Sequence, residues 1–419
     1  MTNQNVIYIL LDFSCGRFYT HHSSYLSDYE SFLNKLDVAS EVWINSSADR
    51  ELLDILSPKT KPILRSIMYS FSRHENFMGF LQDKIISKLF VFLVKVRIPN
   101  FFIELLKASF AFLYYKSALK RLKKLSNRYD EIVLVFPTFD ALSFRLTNHL
   151  VYKSHLPIKK ICIRVTGAEK RGAFSVTSSE TKLVNLVQEK SEIVNVGIEV
   201  NCYKELLARN EFDPNKIYWA PMPEVKRVVA EKVTIIQDPR IIKIGFLGSA
   251  RKTKGFEDLP EIFSKLIENK VNFMSYVQLP NFLWDEAKSV ISVLRREFPN
   301  FVEFIPGGSS REVIEGYIAE MDLVLLPYSV EAYKYAGSGI LYLAADLIIP
   351  IFAQEELAFA WDIEKFGIGE TYSDYTELAI KLKHFSKFNY IPKILKYNLE
   401  RNLANNLFVF NSENHPGNS

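Results

Sequence analysis

Residues 321–352 read MDLVLLPYSVEAYKYAGSGILYLAADLIIPIF, and this stretch decides the fold. Leu323 to Leu326 is an apolar run that stops at Pro327, as a strand buried on both faces does. A polar and aromatic loop follows, Tyr328 to Gly337. Ser338-Gly339 then opens an apolar helix, and Pro350 marks the start of another strand. Strand, loop, glycine-initiated helix and strand form one βαβ unit. Its helix N-terminus sits at the carboxyl edge of a parallel sheet, where free N–H groups and the positive dipole end favour a phosphate. The plainer reading, that Gly337 and Gly339 only let the chain turn, weakens once a second loop of this kind is found.

That second loop is SARKTKG, Ser249 to Gly255; it follows a strand, in the stretch Ile241 to Ser249, and precedes a helix. Arg251 can bind phosphate oxygens in pairs and Lys254 adds a point charge. Gly248 lets backbone approach a ligand closely. A solvated basic turn is the alternative. Two such loops on one sheet edge favour a clamp around a diphosphate.

The same alternation runs through most of the chain. Strands are expected at Val6 to Phe13, Glu41 to Ile44, Ile132 to Phe136, Lys160 to Val165, Ile193 to Val196 and Ile217 to Trp219. A second series follows at Ile241, Asn272 and Val302. Helices are expected at Tyr25 to Leu36, to Leu150 after Thr138, and over Ser309 to Glu320, where Ser309 and Glu312 match a capping box. Ser373 is expected to cap a helix to Phe385, and Pro392 to Leu407 is read as helical. The fold class is therefore α/β: two facing Rossmann-like domains, residues 1–223 and 241–388. Residues 224–240 form a linker, 389–419 a C-terminal helix and tail, and 63–128 a helical insertion in the first domain.

That insertion carries eleven basic residues between Lys84 and Arg128, opposed only by Glu104. No uncharged run reaches the roughly 18–20 residues that span a bilayer. Aromatic and aliphatic faces beside clustered Lys and Arg fit a helix lying on an anionic membrane surface. A helical hairpin packed on the core, with its basic residues reaching water, is the alternative. Overall net charge is only +4 in 419 residues, which argues against a nucleic-acid partner. Cys15, Cys162 and Cys202 are odd in number and lack metal spacing, so reduced thiols in a cytoplasmic protein are expected. No signal peptide is visible.

The loop Ser14 to Ser24 ends the first strand, where doubly wound folds open a ligand crevice. Gly16 and Arg17 there, with Glu169 after a later strand, are candidate acceptor contacts. His21 and His22 are candidate general bases, as are Asp140 and Glu169. Each has a plainer role: the histidines titrate in water, Asp140 caps a helix, and Glu169 pairs with Lys170 or Arg171.

Three segments, Ile244 to Phe263, Val302 to Tyr328 and Ser338 to Phe352, make the C-terminal half resemble the nucleotide-binding domain of the GT-B glycosyltransferases, above all the large retaining family four. The resemblance implies a GT-B fold and transfer of a sugar from a nucleoside-diphosphate donor. It places Arg251 and Lys254 on the donor diphosphate as electrostatic catalysts, which needs no metal cofactor. Ser249, Ser338 and Gly339 join them, and the backbone near Ile305 and Pro306 meets the base. The family's two glutamates would fall at Tyr335 and Leu343. Neither is acidic and Glu331 is out of register, so the retaining outcome is open. Tyr333 and Tyr335 are left to pack on ribose or sugar. With the basic insertion, the expected acceptor is a lipid-linked or cell-envelope glycan, as in lipopolysaccharide assembly, at the inner face of a membrane. An epimerase of the same fold and a non-catalytic relative that binds at the membrane are the alternatives.

Overall fold

The computed structural model describes residues 5–12, 21–45, 59–64, 115–138, 141–165, 189–190, 192–200, 217–226, 238, 240–248, 251–280 and 284–410. They build two sheets whose neighbouring strands all run parallel. The first contains β1 (Val6–Asp12), β2 (Ser40–Asn45), β3 (Thr60–Leu64), β4 (Glu131–Phe136), β5 (Ile158–Val165), β6 (Val194–Ile198) and β7 (Ile217–Trp219). Their order is β3-β2-β1-β4-β5-β6-β7. The second contains β8 (Ile242–Phe246), β9 (Phe273–Gln278), β10 (Val302–Ile305), β11 (Leu323–Leu326), β12 (Ile351–Gln354) and β13 (Gly369–Tyr372), in the order β10-β9-β8-β11-β12-β13.

Each order reverses direction once, between β1 and β4 and between β8 and β11. A crevice opens beyond the carboxyl ends of the strands at such a reversal, because the flanking connections leave to opposite faces. The switch in the second sheet lies between the two loops that the sequence offers for a phosphate. In the first sheet it brings Asp12, at the end of β1, beside Thr138 after β4; the buried Asp12 carboxylate accepts a 2.7 Å hydrogen bond from the Thr138 hydroxyl.

Several local expectations shift. β3 lies inside the segment read as a break and then an insertion. Pro62 is tolerated there because β3 is an edge strand, with a neighbour on one side only. Of the insertion, 115–125 is helical and buries Tyr115, Ala118, Leu122 and Leu125 against the first core, at spacings of three and four. Lys116, Lys120, Lys123 and Lys124 are exposed there, and Arg121 pairs with Glu41 at 2.5 Å. This end follows the packed-hairpin alternative; 65–114 lies outside the described residues. The cap of the helix Arg311–Glu320 is Ser310, accepting from the Val313 N–H, one residue after the expected Ser309. Asp374 rather than Ser373 caps Tyr375–Lys383, accepting from the N–H groups of Thr376 and Glu377.

The C-terminal helix Ile391–Phe410 is a strap across both halves. Toward the second it holds Ala345 through Asn398, Asp362 through Tyr397 and Asp346 through Arg401. Toward the first, Asn405 accepts from Tyr29 at 2.8 Å and donates to the Pro221 carbonyl, and Asn195 and the Cys162 thiol both donate to the Phe408 carbonyl. Burial pushes that thiol up to about 12, so it stays protonated. Gly197 has no side chain because Ala220 and Phe408 fill the space.

Candidate active site

The loop after β8 turns at Gly248 with φ +100, a conformation glycine adopts without strain. Its N–H donates to Gln278 at the end of β9, at 2.7 Å. Residues 252–254 form one tight turn closed by Gly255 in the left-handed region, φ +72. A Cβ on Gly255 would overlap the Pro327 carbonyl oxygen, so only glycine lets this loop lie against the end of β11. The Ser329 N–H donates to the Thr253 carbonyl at 3.0 Å. The basic loop and the loop after β11 are thus fastened to each other.

The Lys254 ammonium lies 5.1 Å from the centre of the Tyr328 ring. It has no carboxylate partner among the described residues. Burial lowers its pKa, with nearby Arg251 adding to that and Tyr333 opposing it. The Ser338 hydroxyl, buried, donates to the Tyr328 hydroxyl at 3.3 Å. A Cβ on Gly248 would touch both the Ile340 side chain and the Lys254 ammonium, at 2.9 and 3.2 Å. Lys254, Tyr328 and the first turn of the helix Gly339–Asp346 therefore share one crevice. In front of Gly339 a Cβ would meet no atom within 4 Å. An unbalanced cation, a helix start and open space suit an anion.

Arg251 is exposed at the mouth of the same loop. Tyr333 lies tilted against Tyr328, ring centres 4.5 Å apart, and edge-on to Phe359, while Tyr335 packs against the core with Lys334 over its ring. Of the two rings, Tyr333 is the one beside Lys254 and Arg251. Ile305 ends the edge strand β10; its side chain is buried and its carbonyl already accepts from the Leu279 N–H at 2.8 Å. The expected loop at His21 and His22 is helical instead, since the helix begins at His21. The histidine side chains, together with Gly16, Arg17, Asp140, Glu169 and Ser249, lie outside the described residues.

One pair went unread. Arg164, inside β5, and Glu199, just past β6, are both buried and 3.2 Å apart. Arg164 also donates to the carbonyls of Ala220 and Pro137, tying three strand ends together. Burial raises the Glu199 pKa against the pull of Arg164. Neither carboxylate oxygen of Glu199 has a hydrogen bond within the described residues, and the carboxylate lies against Gly337 of the second half. A second bridge between halves joins Arg311 to Asp28 at 3.3 Å. The signal for Arg164 was visible: an arginine in the buried run ICIRV has to be paired.

No protein-family model matches the chain, and no curated protein sequence matches it either. Solved structures do. HepE from Anabaena, in complex with UDP, superposes with a TM-score of 0.57 at 11% identity, covering 96% of this chain and 95% of that one. The lipopolysaccharide outer core galactosyltransferase WaaB gives 0.55 at 10% identity, over 97% and 99%. A putative UDP-N-acetylglucosamine 2-epimerase from Listeria monocytogenes gives 0.51 at 12%, over 96% and 94%. At these identities the likeness speaks of fold alone, and it spans both sheets and the strap. Two parallel sheets with interleaved helices, tied by a returning C-terminal helix, give this chain the GT-B fold.

Proposed function

We propose that the protein is a glycosyltransferase that moves a sugar from a nucleoside-diphosphate donor to a hydroxyl of a lipid-linked or cell-envelope glycan. The observation that carries this is the shared crevice: Lys254, lacking a carboxylate partner among the described residues, faces the open start of the helix Gly339–Asp346. Lys254 and Arg251 take the donor diphosphate, with Gly248, Ser249, Ser338 and Gly339 around it, Tyr333 and Tyr335 beside ribose and sugar, and the base near Ile305. The acceptor hydroxyl attacks the anomeric carbon as its bond to the phosphate oxygen breaks. The charge gathering on the departing nucleoside diphosphate is stabilised by groups already in place. A base on the first half receives the hydroxyl proton, with His21, His22 and Glu169 as candidates and Gly16 and Arg17 beside the acceptor. HepE, which superposes on this chain, is solved with UDP bound, and this supports UDP-sugars as the first donors to test.

The test is nucleotide-induced thermal stabilisation across UDP, GDP, ADP and CMP, on wild type and Lys254→Ala. One nucleotide is expected to raise the melting temperature of wild type and not of the variant. No response to any nucleotide leaves the non-catalytic reading standing. The epimerase reading is favoured by the Listeria structure. Incubating the responding nucleotide's sugar conjugate without acceptor separates the two: an isomerised sugar identifies the epimerase, and an unchanged donor supports transfer.

A further inference from the structure

The strap helix Ile391–Phe410 buries one face against both halves and leaves a line of leucines on the other. Leu395, Leu399 and Leu407 are 51%, 56% and 38% exposed, and Leu403 completes the series at intervals of four. Residues four apart lie one above the next on a helix, so these side chains form a continuous apolar ridge. Beside the ridge is a cavity of about 460 Å³ between β7 and the helix. Its apolar wall is Trp219, Phe366, Leu403 and Leu407, and its cations are Lys365 and Lys396. Trp219 stacks on Phe366 at 5.4 Å, and its indole N–H is buried with no hydrogen-bond partner among the described residues. Lys365 and Lys396 form no ion pair among the described residues, and Glu400 is the one acid in the described lining.

We propose that this face is a docking surface for an anionic phospholipid membrane. The leucine ridge enters the acyl boundary. Lys365 and Lys396 meet headgroup phosphates. Exposed leucines flanked by lysines are the chemistry that lies in a headgroup interface. A second protein helix would also cover leucines, but two lysines at their edge match anionic headgroups. No described helix is long and apolar enough to cross a membrane, so contact here is lateral. This surface is independent of the donor crevice and of the basic stretch 84–128.

The experiment is co-flotation of the full chain with vesicles of phosphatidylcholine alone and of phosphatidylcholine with phosphatidylglycerol, at low and high salt. Binding is expected only to the anionic vesicles, weakening with salt. Lys365→Ala with Lys396→Ala should weaken it by roughly thirtyfold, and Leu395→Ser with Leu399→Ser should abolish it. Brominated acyl chains should quench tryptophan emission in wild type, and less so in Trp219→Phe. Unchanged binding in all these variants would place the contact elsewhere on the chain and overturn the proposal. So would equal protection of Trp219 emission by glycerol phosphate, which indicates a free-phosphate pocket. A third contrary result is wild type sedimenting as a dimer that the leucine variant splits, which makes the ridge an interface between copies.

Discussion

The carboxylate of Glu199 packs against the backbone of Gly337: a Cβ built on that glycine would sit 2.5 Å from the carboxylate carbon. Glu199 directly follows β6 of the first sheet, and Gly337 lies two residues before the start of the helix Gly339–Asp346. The position needs glycine for close approach and not for a left-handed turn, since its φ is not positive. Gly337→Ala is expected to push the halves apart and cost about 1–3 kcal/mol, the usual range for overpacking. Glu199→Ala removes the obstruction, so Gly337→Ala should cost less in that background. Urea denaturation of the four proteins of this cycle measures it, and additive losses would mean that the contact carries no energy.

Gly255 and Gly339 make opposite predictions. Alanine at 255 would overlap the Pro327 carbonyl from a left-handed backbone, so both the fold and the nucleotide response should suffer. Alanine at 339 meets nothing and sits at a helix start, so melting temperature should hold or rise slightly. If a diphosphate occupies that open space, nucleotide affinity should still fall by about tenfold, the equivalent of one charge-assisted contact. Equal affinity in Gly339→Ala and wild type would move the anion away from this helix.

Lys254 gives the crevice a pH dependence. Burial depresses its pKa below the ordinary lysine value. A diphosphate binds the ammonium and not the amine, so affinity should be full below the depressed pKa and decline as pH rises through it. Isothermal titration from neutral to alkaline pH should show the decline in wild type. In Lys254→Met, affinity should be weak and flat. A wild-type profile that stays level would assign the anion to Arg251 alone.

The architecture was legible because buried parallel strands are written as unbroken apolar runs: VIYILLD, EIVLVF and LVLL each became a strand. β3, with its lysine and Pro62, hides because an edge strand needs neither two apolar faces nor every N–H. The pair of phosphate-ready loops could be read from Gly248, Lys254 and Ser338 because backbone geometry and charge are local properties. Their fastening, Ser329 to Thr253, is 76 residues apart in sequence and set only by the β8–β11 crossing. Gln278 offered only its place at a strand end. His21 and His22 were read as loop residues because the helix was expected only from Tyr25, although Thr20 before them is a residue type that caps helices.

Asp362 supplies a stability test away from the crevice. It is buried under the strap helix, accepts from Tyr397 at 3.0 Å, and its pKa is raised to about 7. Burial is the main cause; the Tyr397 hydrogen bond and Arg401 pull it down, and Glu199 pushes it up. A carboxyl whose folded pKa exceeds its unfolded value of about 3.9 favours the fold while protonated. That contribution is full below about pH 4 and is lost as pH climbs through about 7, amounting to at most about 4 kcal/mol. Asp362→Asn keeps an acceptor for Tyr397 and removes the titration. The variant should therefore melt higher than wild type at pH 8, and the gap should close as pH falls towards 4. A gap that does not change with pH would mean that Asp362 stays ionised in the folded protein, held so by Arg401.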